Sequence, residues 1–370
     1  MSSTSVVIVG AGLSGLYAAY LLQQQGLHDY VVLEARSRLG GRLLSESVAE
    51  ASFDLGATWF WPDMQPQLDA VIQGLGVRTF YQHEAGLMVF EQSTTAPIQR
   101  FEGQAADEPL SLRLEGGMGA LVDALAAKLP NEKLHLGHRV RSIEHREDGN
   151  TLVESVTKQG QVYRLLTQHV LLALPPRLAV EHIEFEPTLP SALAREWANC
   201  PTWMAPHAKY LAVYQRPFWR EQGLSGSGRS YVGPMVQIHD ASPVEGMGAI
   251  FGFIGIPATA RHKVPAETLI GMCRAQLARL LGPEASSPTA EWLKDWSQDE
   301  YAATRADATS AAGHPHPPPS TPQGAPWQGR IAGIASEWSP IFPGYVAGAI
   351  DAASRGTQKL VADLLQPHRN

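Results

Sequence analysis

Residues 6–15 read VVIVGAGLSG, and this stretch decides the fold. Its four apolar residues, 6–9, predict a buried parallel strand. Directly after it, Leu13, Leu16 and Tyr17 follow one another at the spacing of a single helix face. A strand joined to a helix by a glycine-rich turn is typical of the first half of a βαβ unit, in which a helix connects two parallel strands.

A second strand completes that unit. Gly26 ends the predicted helix, and residues 30–34 form the next apolar run. A βαβ unit indicates a parallel sheet with helices on its faces, so we predict an α/β fold built on a Rossmann-like domain. Two later apolar runs, 209–214 and 249–254, predict strands of a second sheet, and 134–145 is predicted to be one strand.

The three glycines of the turn have separate physical tasks. Gly10 permits the tight turn, Gly12 lets the backbone approach a pyrophosphate, and Gly15 lets the helix pack closely against the strand. The helix N-terminus adds free N–H groups and a positive dipole end. Glu34, at the end of the second strand, suits the hydroxyls of a ribose. We therefore predict a dinucleotide site; the alternative is a glycine-rich turn beside a surface glutamate.

The composition narrows the classes of protein. The chain has 370 residues, 44% of them hydrophobic, which is enough for two domains. The net charge is −7 and the pI is near 6.0, so the chain lacks the excess of basic residues that is typical of a nucleic-acid-binding protein. The two cysteines, Cys200 and Cys273, form neither a disulfide framework nor a metal motif, so we expect no metal and a cytoplasmic location. We also expect no secretory signal and no membrane-spanning run.

The residues after the second strand distinguish between dinucleotides. Residues 34–36 (EAR) are followed by 40–42 (GGR), which resembles the ExR…GGR stretch of the flavin amine-oxidase superfamily. The resemblance implies bound FAD, with Arg36 and Arg42 approaching its pyrophosphate through charge-assisted hydrogen bonds. Ordinary surface charge is the alternative for both arginines.

The resemblance extends over most of the chain. Further stretches similar to family motifs lie at 53–59, 116–125, 209–219, 292–301 and 344–349. The likeness implies an FAD-binding domain with a parallel sheet and a smaller α+β substrate domain, as in amine oxidases and p-hydroxybenzoate hydroxylase. We place the discontinuous FAD-binding domain at 1–77, 110–198 and 300–370, and the substrate domain at 78–109 and 199–299.

The same resemblance assigns residues to the cofactor. They come from the glycine fingerprint, the ExR…GGR stretch, the segments expected beside the flavin and the start of the closing helix. The predicted cofactor-binding residues are Gly10, Gly12, Leu13, Ser14, Gly15, Glu34, Ala35, Arg36, Gly41, Arg42, Gly56, Ala57, Thr58, Val140, Trp296, Gly333, Ile334, Tyr345 and Val346. The dipole of the closing helix is expected to favour the reduced, anionic flavin.

Two residues are predicted to act in catalysis. The resemblance implies that Lys209 holds a water near the flavin and assists reoxidation; a lysine that reaches the surface is the alternative. Tyr345 is expected beside the flavin as one wall of the substrate site. Trp59, Trp338 and Phe342 are further candidates for lining that site, and an ordinary core position is the alternative for each aromatic residue.

Three features depart from the family pattern. Arg305 and Ala306 stand where some members carry a flavin-linking cysteine and a second aromatic residue of a substrate cage. Their presence implies non-covalent FAD and a cage that is absent or built differently. Ala335 stands where the AGxE motif has its acidic residue. The connection 100–116 is too short for the helical segment that normally roofs the substrate cavity, so a more open site is expected.

Three functions remain in view at this point. The first is an oxidase of an amine or of an amino-acid-derived substrate, with hydride transfer to flavin and oxygen as acceptor. The second is a flavoenzyme of the same fold with other chemistry: a renalase-like dihydronicotinamide oxidase, a desaturase or an isomerase. The third is a non-catalytic flavoprotein. A bulky substrate, a substrate presented by a partner, or a homodimer would suit a missing roof. His314 and His316 are expected in a proline-rich surface loop rather than in a metal site or a flavin linkage.

Overall fold

The computed structural model describes residues 2–102, 110–309, 313–314 and 316–365. Its strands, in chain order, are β1 (Ser2–Ser3), β2 (Val6–Val9), β3 (Tyr30–Glu34), β4 (Ser45–Val48), β5 (Ala51–Asp54), β6 (Thr79–Tyr81), β7 (Leu87–Glu91), β8 (Gln99–Glu102), β9 (Leu112–Leu114), β10 (Leu134–Leu136), β11 (His138–His145), β12 (Thr151–Thr157), β13 (Val162–Thr167), β14 (His169–Leu172), β15 (Glu184–Glu186), β16 (Ala208–Tyr214), β17 (Leu224–Ser230), β18 (Met235–Asp240), β19 (Gly248–Ile254), β20 (Ala290–Asp295) and β21 (Ile331–Gly333). Its α-helices are α1 (Leu13–Gln24), α2 (Pro66–Gly74), α3 (Gly117–Ala126), α4 (Pro176–His182), α5 (Ser191–Asn199), α6 (Phe218–Glu221), α7 (Ala258–Arg261), α8 (Ala266–Leu281) and α9 (Val346–Leu365).

The parallel sheet predicted from the N-terminus is present. Its strands lie in the order β10-β3-β2-β14-β21, and every neighbouring pair is parallel. Alternate residues of β2 face opposite sides of the sheet. Val6 and Ile8 pack with residues of α1 and α9, whereas Val7 and Val9 join the cluster that contains Trp327. Because both faces are covered, the strand is apolar throughout, and the predicted Rossmann-like α/β fold is confirmed.

The run 134–145 is two strands, and the prediction of one strand was wrong. Gly137, with φ +75°, separates β10 from β11. β10 extends the parallel sheet beside β3, whereas β11 enters a second five-stranded sheet of order β1-β13-β12-β11-β15. Glycine adopts a positive φ without a steric penalty, so the chain can change direction abruptly between the two sheets.

A seven-stranded sheet of order β20-β16-β19-β18-β17-β7-β8 forms the other part of the molecule. Every residue of β16 is buried, and α8 packs in the same apolar cluster. β16 runs antiparallel to both neighbours, which places Lys209 opposite Phe253 on β19 and Lys294 on β20. β7 and β8 bring an early segment of the chain into this sheet. The predicted limits of the two domains stay predictions.

The short connection 100–116 runs from β8 to β9. Residues 103–109 lie outside the described residues. On the described side, β9 pairs with β6, and Phe60 forms an isolated bridge to Leu112. The segment that returns from the seven-stranded sheet is thereby tied to the chain just before α2.

Candidate active site

One cavity of about 450 Å³ lies where the two large sheets meet. The turn between β2 and α1 and the end of β3 line it from the parallel sheet. The segment after β5 and the start of α9 also contribute, and β16 and β19 line it from the seven-stranded sheet. A crevice at the carboxyl ends of parallel strands is where α/β sheets of this kind bind ligands.

The glycine turn forms one side of the cavity. Gly10 has φ +103°, and a Cβ there would lie 2.8 Å from the carbonyl oxygen of Ala173. Gly12 borders open space, since its Cβ would meet nothing closer than 3.9 Å. Gly15 does not line the cavity; its Cβ would lie 1.9 Å from the carbonyl oxygen of Gly10, so this glycine serves the close packing of helix and turn. α1 begins without a side-chain cap or an acidic residue, and its first N–H groups therefore suit an anion.

Glu34 closes the end of β3 and is buried. Its carboxylate accepts hydrogen bonds from the backbone N–H of Ala11 at 2.7 Å and of Arg36 at 2.8 Å. These bonds fix the glycine turn against the next strand. Each carboxylate oxygen retains a further lone pair, so Glu34 can also accept from a ligand hydroxyl in the cavity, which it borders together with Ala35.

Both predicted arginines border the cavity, and each already binds a carboxylate. Arg36 binds Asp299 and lies over the ring of Tyr301, 5.2 Å from its centroid. Arg42 donates to both carboxylate oxygens of Glu337 at 2.5 and 2.9 Å. The guanidinium charges facing this part of the cavity are therefore largely compensated within the protein.

Ala335 stands at the position of the acidic residue in the AGxE motif, but a carboxylate is supplied from nearby in the chain. Glu337, two residues further on, is fully buried and supplies the carboxylate for Arg42. The register is shifted accordingly: Ala335 and Ser336 line the cavity, whereas Gly333 and Ile334 do not. The reason is local, since β21 ends at Gly333 and the chain then turns through the short 3-10 segment Ser336–Trp338.

The remaining residues assigned to the cofactor line the same cavity. Only glycine fits at position 56, because a Cβ at Gly56 would lie 1.9 Å from the carbonyl oxygen of Arg42. The indole N–H of Trp296 donates to the carbonyl oxygen of Leu55 at 3.0 Å, which holds the ring against this segment. Further assigned residues that line the cavity are Leu13, Ser14, Gly41, Ala57, Thr58, Val140, Tyr345 and Val346.

Lys209 is buried at the centre of the cavity wall, with only 3% of its surface exposed. Its ammonium group donates to the hydroxyl of Thr58 at 2.6 Å and to the carbonyl oxygen of Gly56 at 3.2 Å. It also lies 3.9 Å from the ring centroid of Phe251. Burial lowers the pKa of Lys209 to about 7; Asp54 opposes this shift and Arg113 adds to it. The side chain does not reach the surface, and it exchanges a proton near neutral pH.

An aromatic cluster adjoins Lys209. Trp59 lines the cavity and packs against His239 at 4.9 Å and Phe251 at 5.2 Å between ring centroids. The indole N–H of Trp59 donates to Gln82 at 2.7 Å, and Gln82 in turn donates to the carbonyl oxygen of Asp240 at 2.8 Å. The ring is therefore held from the seven-stranded sheet as well as by its own segment.

Tyr345 stands at the start of α9 and lines the cavity with Trp61 and Trp203. Trp61 meets it edge to face, with centroids 6.4 Å apart, and Trp203 lies 6.3 Å away at a 34° tilt. Met204, which follows Trp203, has φ +61° and also faces the cavity. His314, expected in a surface loop, is exposed but stacks on Trp203 at 3.7 Å and on Tyr345 at 4.5 Å.

Two of the proposed substrate-lining residues lie elsewhere. Trp338 is a core residue that packs edge to face on Trp197 at 5.3 Å and does not line the cavity. It also occupies the space beside Gly333, where a Cβ would clash with its ring. Phe342 packs against the core under α9 and does not line the cavity. The predictions for these two residues were wrong.

The sequence interpretation missed several residues of this wall. Trp61 could have been found by alternation, because Phe60 is fully buried while Trp59 and Trp61, on either side of it, both face the cavity. Trp203 lies between prolines in a segment without periodicity, and no local signal marks it. Other cavity residues that were not predicted include Gln65, His138, Arg139, His182, His207, Phe253, Ala335 and Ser336.

These features together fit a dinucleotide with a second, redox-active part. The glycine turn leaves room for a pyrophosphate at the uncapped N-terminus of α1, and the carboxylate of Glu34 is placed for a ribose. Both cysteines are free and buried, and neither lines the cavity, so no thiol is available to link a flavin. The fold and site therefore define an FAD-dependent oxidoreductase with non-covalent cofactor.

The chain belongs to the flavin-containing amine oxidoreductases, whose family model matches residues 82–361. A second model, for an NAD(P)-binding Rossmann-like domain, matches residues 8–75. The recognition of this family from the sequence is thereby confirmed, as are an enzyme of the FAD-dependent oxidoreductase class and its flavin cofactor.

Two relatives and one solved structure illustrate the relationship. Putrescine oxidase from Kocuria rosea is 25% identical over 80% of this chain and 82% of its own length. A probable flavin-containing monoamine oxidase A from Dictyostelium discoideum is 25% identical over 97% of this chain and 98% of its own. That alignment spans 462 positions, so the relative has segments that this chain lacks. A solved structure of putrescine oxidase bound to putrescine superposes with a TM-score of 0.80 at 22% identity, covering 97% of this chain and 99% of that one.

Two kinds of feature are absent from the described part of the chain. Within it, no group of three or more His, Cys, Asp or Glu side chains is arranged to hold a metal ion. No helix among the same residues is long and apolar enough to cross a membrane.

Proposed function

We propose that the chain oxidises a small amine at its C–N bond, with oxygen as the final electron acceptor. Bound FAD would accept a hydride from the carbon next to an uncharged amine nitrogen; water would then hydrolyse the resulting imine, and reoxidation by oxygen would give hydrogen peroxide. The observation that carries the proposal is the buried Lys209, held between Thr58 and an aromatic wall in the family's cavity.

Lys209 is suited to work with a proton near neutral pH. Its ammonium group has one hydroxyl and one carbonyl oxygen as partners, and a third donor site is left for a water or ligand. Since burial lowers its pKa to about 7, the amino group can hold or release a proton at the working pH. We assign to it the positioning of a water and the electrostatic assistance of reoxidation.

The start of α9 supports the same chemistry from another side. Tyr345 and Val346 border the cavity, and the first turn of α9 contains no acidic residue. The positive end of the helix dipole therefore stabilises negative charge that develops on a group bound there. Tyr345, with Trp61 and Trp203, excludes water from the apolar body of a substrate.

The test is an anaerobic titration of the purified yellow holoenzyme with a panel of amines. Loss of the visible flavin absorption with an amine, and peroxide formation when oxygen is admitted, is the expected result. Reduction by dihydronicotinamides with no response to any amine would contradict amine oxidation and would favour the renalase-like chemistry. Intact FAD that no small molecule reduces would favour a non-catalytic flavoprotein.

A further inference from the structure

His207 lines the cavity two residues before Lys209 and carries a ring nitrogen without a partner. Its Nδ1 atom is buried, and among the residues that the structure describes no donor or acceptor lies within hydrogen-bonding distance of it. Buried polar atoms are normally paired, so an unpaired one on a side chain that borders a ligand cavity indicates an atom that meets a ligand. Residues two apart along a strand point to the same side, which agrees with His207 and Lys209 both lining the cavity.

The backbone around His207 is fixed by three hydrogen bonds. The N–H of Trp296 donates to the carbonyl oxygen of His207 at 3.0 Å, and the N–H of His207 donates to the carbonyl oxygen of Met204 at 3.0 Å. The guanidinium group of Arg261 donates to the carbonyl oxygen of Pro206 at 2.9 Å. The imidazole ring is therefore attached to a well-anchored segment directly before β16.

The surroundings of His207 keep its ring neutral. Burial lowers the pKa of His207 below its ordinary value of 6.5; the positive charge of Arg261 adds to this shift, and the backbone of Met204 opposes it. Arg261 is itself paired with Asp295 of β20, and Lys209 follows in β16. A neutral imidazole has one N–H and one lone pair, so the tautomer with hydrogen on Nε2 leaves the lone pair of Nδ1 free to accept a proton.

The proposed amine oxidation needs such an acceptor. It uses an uncharged amine nitrogen, whereas an alkylammonium ion has an ordinary pKa close to that of lysine, about 10.4, and predominates in neutral water. Burial lowers the pKa of Lys209 to about 7, and it acts in the same direction on a substrate ammonium group in the same cavity. The proton of a bound substrate is therefore held less firmly than in water, and a neutral imidazole beside it can take that proton.

We propose that His207 is a catalytic residue that accepts the proton of the substrate's ammonium group. This inference rests on the proposed amine oxidation and adds a step before hydride transfer. An N–H bond of the ammonium group breaks, its electron pair stays on the amine nitrogen, and a new N–H bond forms at Nδ1 of His207. The imidazolium ion then gives its proton to water through the cavity, so the ring is neutral again for the next substrate.

The first experiment compares the native holoenzyme with His207→Asn, whose amide can form a hydrogen bond but cannot take a proton. Anaerobic stopped-flow gives the second-order rate constant of flavin reduction by butylamine, benzylamine and 1,4-diaminobutane. We expect a loss of about 100-fold in His207→Asn at about pH 7. The ratio of the native to the variant rate constant should then fall about tenfold per pH unit up to about pH 9, because the variant can use only the free amine in solution. Lys209 titrates in both proteins, so the ratio cancels its contribution.

The second experiment needs no turnover. tert-Butylamine has no hydrogen on the carbon next to its nitrogen, so it can bind but cannot donate a hydride. Its Kd is measured from the shift of the flavin absorption. The Kd of His207→Asn relative to that of the native holoenzyme should fall about tenfold per pH unit over the same range, because only the free amine binds without a proton acceptor.

The matched control is His28→Asn, at an exposed position, which should behave as the native holoenzyme. His207→Phe keeps a ring without a basic nitrogen and should show the same pH-dependent loss, so it replaces His207→Asn if that variant does not retain FAD. A loss that is constant with pH would show a structural role and overturn the inference, as would an unchanged rate. A pH-dependent loss in Lys209→Met but not in His207→Asn would assign the proton to Lys209 instead. Reduction of the native flavin by none of the amines would overturn the proposed function as well.

Discussion

The two sides of the cavity are built from different parts of the chain. On the side of the parallel sheet, one short stretch supplies the turn, the free N–H groups and the close packing, and backbone atoms carry most of its chemistry. On the side of the seven-stranded sheet, side chains from distant segments meet: Trp59 packs on Phe251, and the ammonium group of Lys209 lies over the same ring. The first side, called the backbone-built side, depends on space and backbone direction. The second, called the side-chain-built side, depends on which side chains the fold brings into contact.

That difference predicts how each side responds to substitution. A change in the backbone-built side should act through steric exclusion of the cofactor or through loss of a buried ion pair. A change in the side-chain-built side should alter chemistry and pH dependence while the cofactor stays bound. Four substitutions, from the largest expected effect to the smallest, test this contrast.

Arg42→Met should give the largest effect. It leaves the fully buried carboxylate of Glu337 without its counter-ion. We expect the free energy of unfolding to fall by about 3–5 kcal/mol, measured by urea denaturation. Adding Glu337→Gln should recover much of the loss, because the unpaired charge is then removed.

The control for that substitution is Arg78→Met. Arg78 pairs with Glu115, but 81% of its side chain is exposed, so the change should cost less than about 1 kcal/mol. If the Arg42→Met variant were as stable as the native protein, the ion pair between Arg42 and Glu337 would not contribute to the free energy of unfolding.

Lys209→Met should separate the two half-reactions. We expect reoxidation by oxygen to slow by about 100-fold, because a positioned donor at a reacting centre is worth that much. FAD binding and anaerobic reduction by amine should change far less. Stopped-flow absorbance measures both steps, and the exposed Lys263→Met serves as control. Unchanged reoxidation in Lys209→Met would exclude the assigned role.

Gly12→Ala should weaken FAD binding without unfolding the chain. A Cβ at Gly12 meets no protein atom closer than 3.9 Å, but it projects where a pyrophosphate must approach. Steric conflict of about 1–3 kcal/mol corresponds to roughly a 5- to 150-fold higher Kd, measured by fluorescence titration of the apoprotein. Gly74→Ala, at a helix position with no atom within 4 Å, should leave the Kd unchanged. Native affinity in Gly12→Ala would argue against a pyrophosphate at this turn.

The buried His239, on the side-chain-built side, should make the free energy of unfolding depend on pH. Burial lowers the pKa of His239 to about 4, and Lys209 and Arg229 add to the shift. Between about pH 4 and the ordinary histidine pKa near 6.5, the unfolded chain binds a proton that the folded chain does not. Stability should therefore fall as the pH drops through this window, with a contribution of at most about 1.4 kcal/mol per pH unit.

His239→Phe should remove that contribution, and urea denaturation across the window would measure it. The exposed His28→Phe is the control, and its pH dependence should match that of the native protein. An acid dependence in His239→Phe as steep as the native one would show that this histidine does not carry the effect.

Local sequence patterns were sufficient to predict the backbone-built side of the cavity. The apolar strand, the glycine spacing and Glu34 predicted the parallel sheet and its turn, because each depends on contacts within one βαβ unit. The position of Lys209 in an apolar strand also pointed to burial. The carboxylate of Glu337 was not predicted, because an acidic residue was expected at the fixed AGxE spacing, whereas Glu337 lies two residues further on, within the 3-10 segment Ser336–Trp338.

The sequence by itself determined the fold class and the dinucleotide turn, since these follow from short-range periodicity and from the conformations open to glycine. The family followed from the resemblance of its motifs. Only the tertiary structure decided that Trp203 and Gln65 face the cavity and that Trp338 and Phe342 do not. It also decided the break of the 134–145 run at Gly137. The physical reason is that a side chain's direction in an irregular segment depends on packing against residues far away in the chain, and no local pattern records that packing.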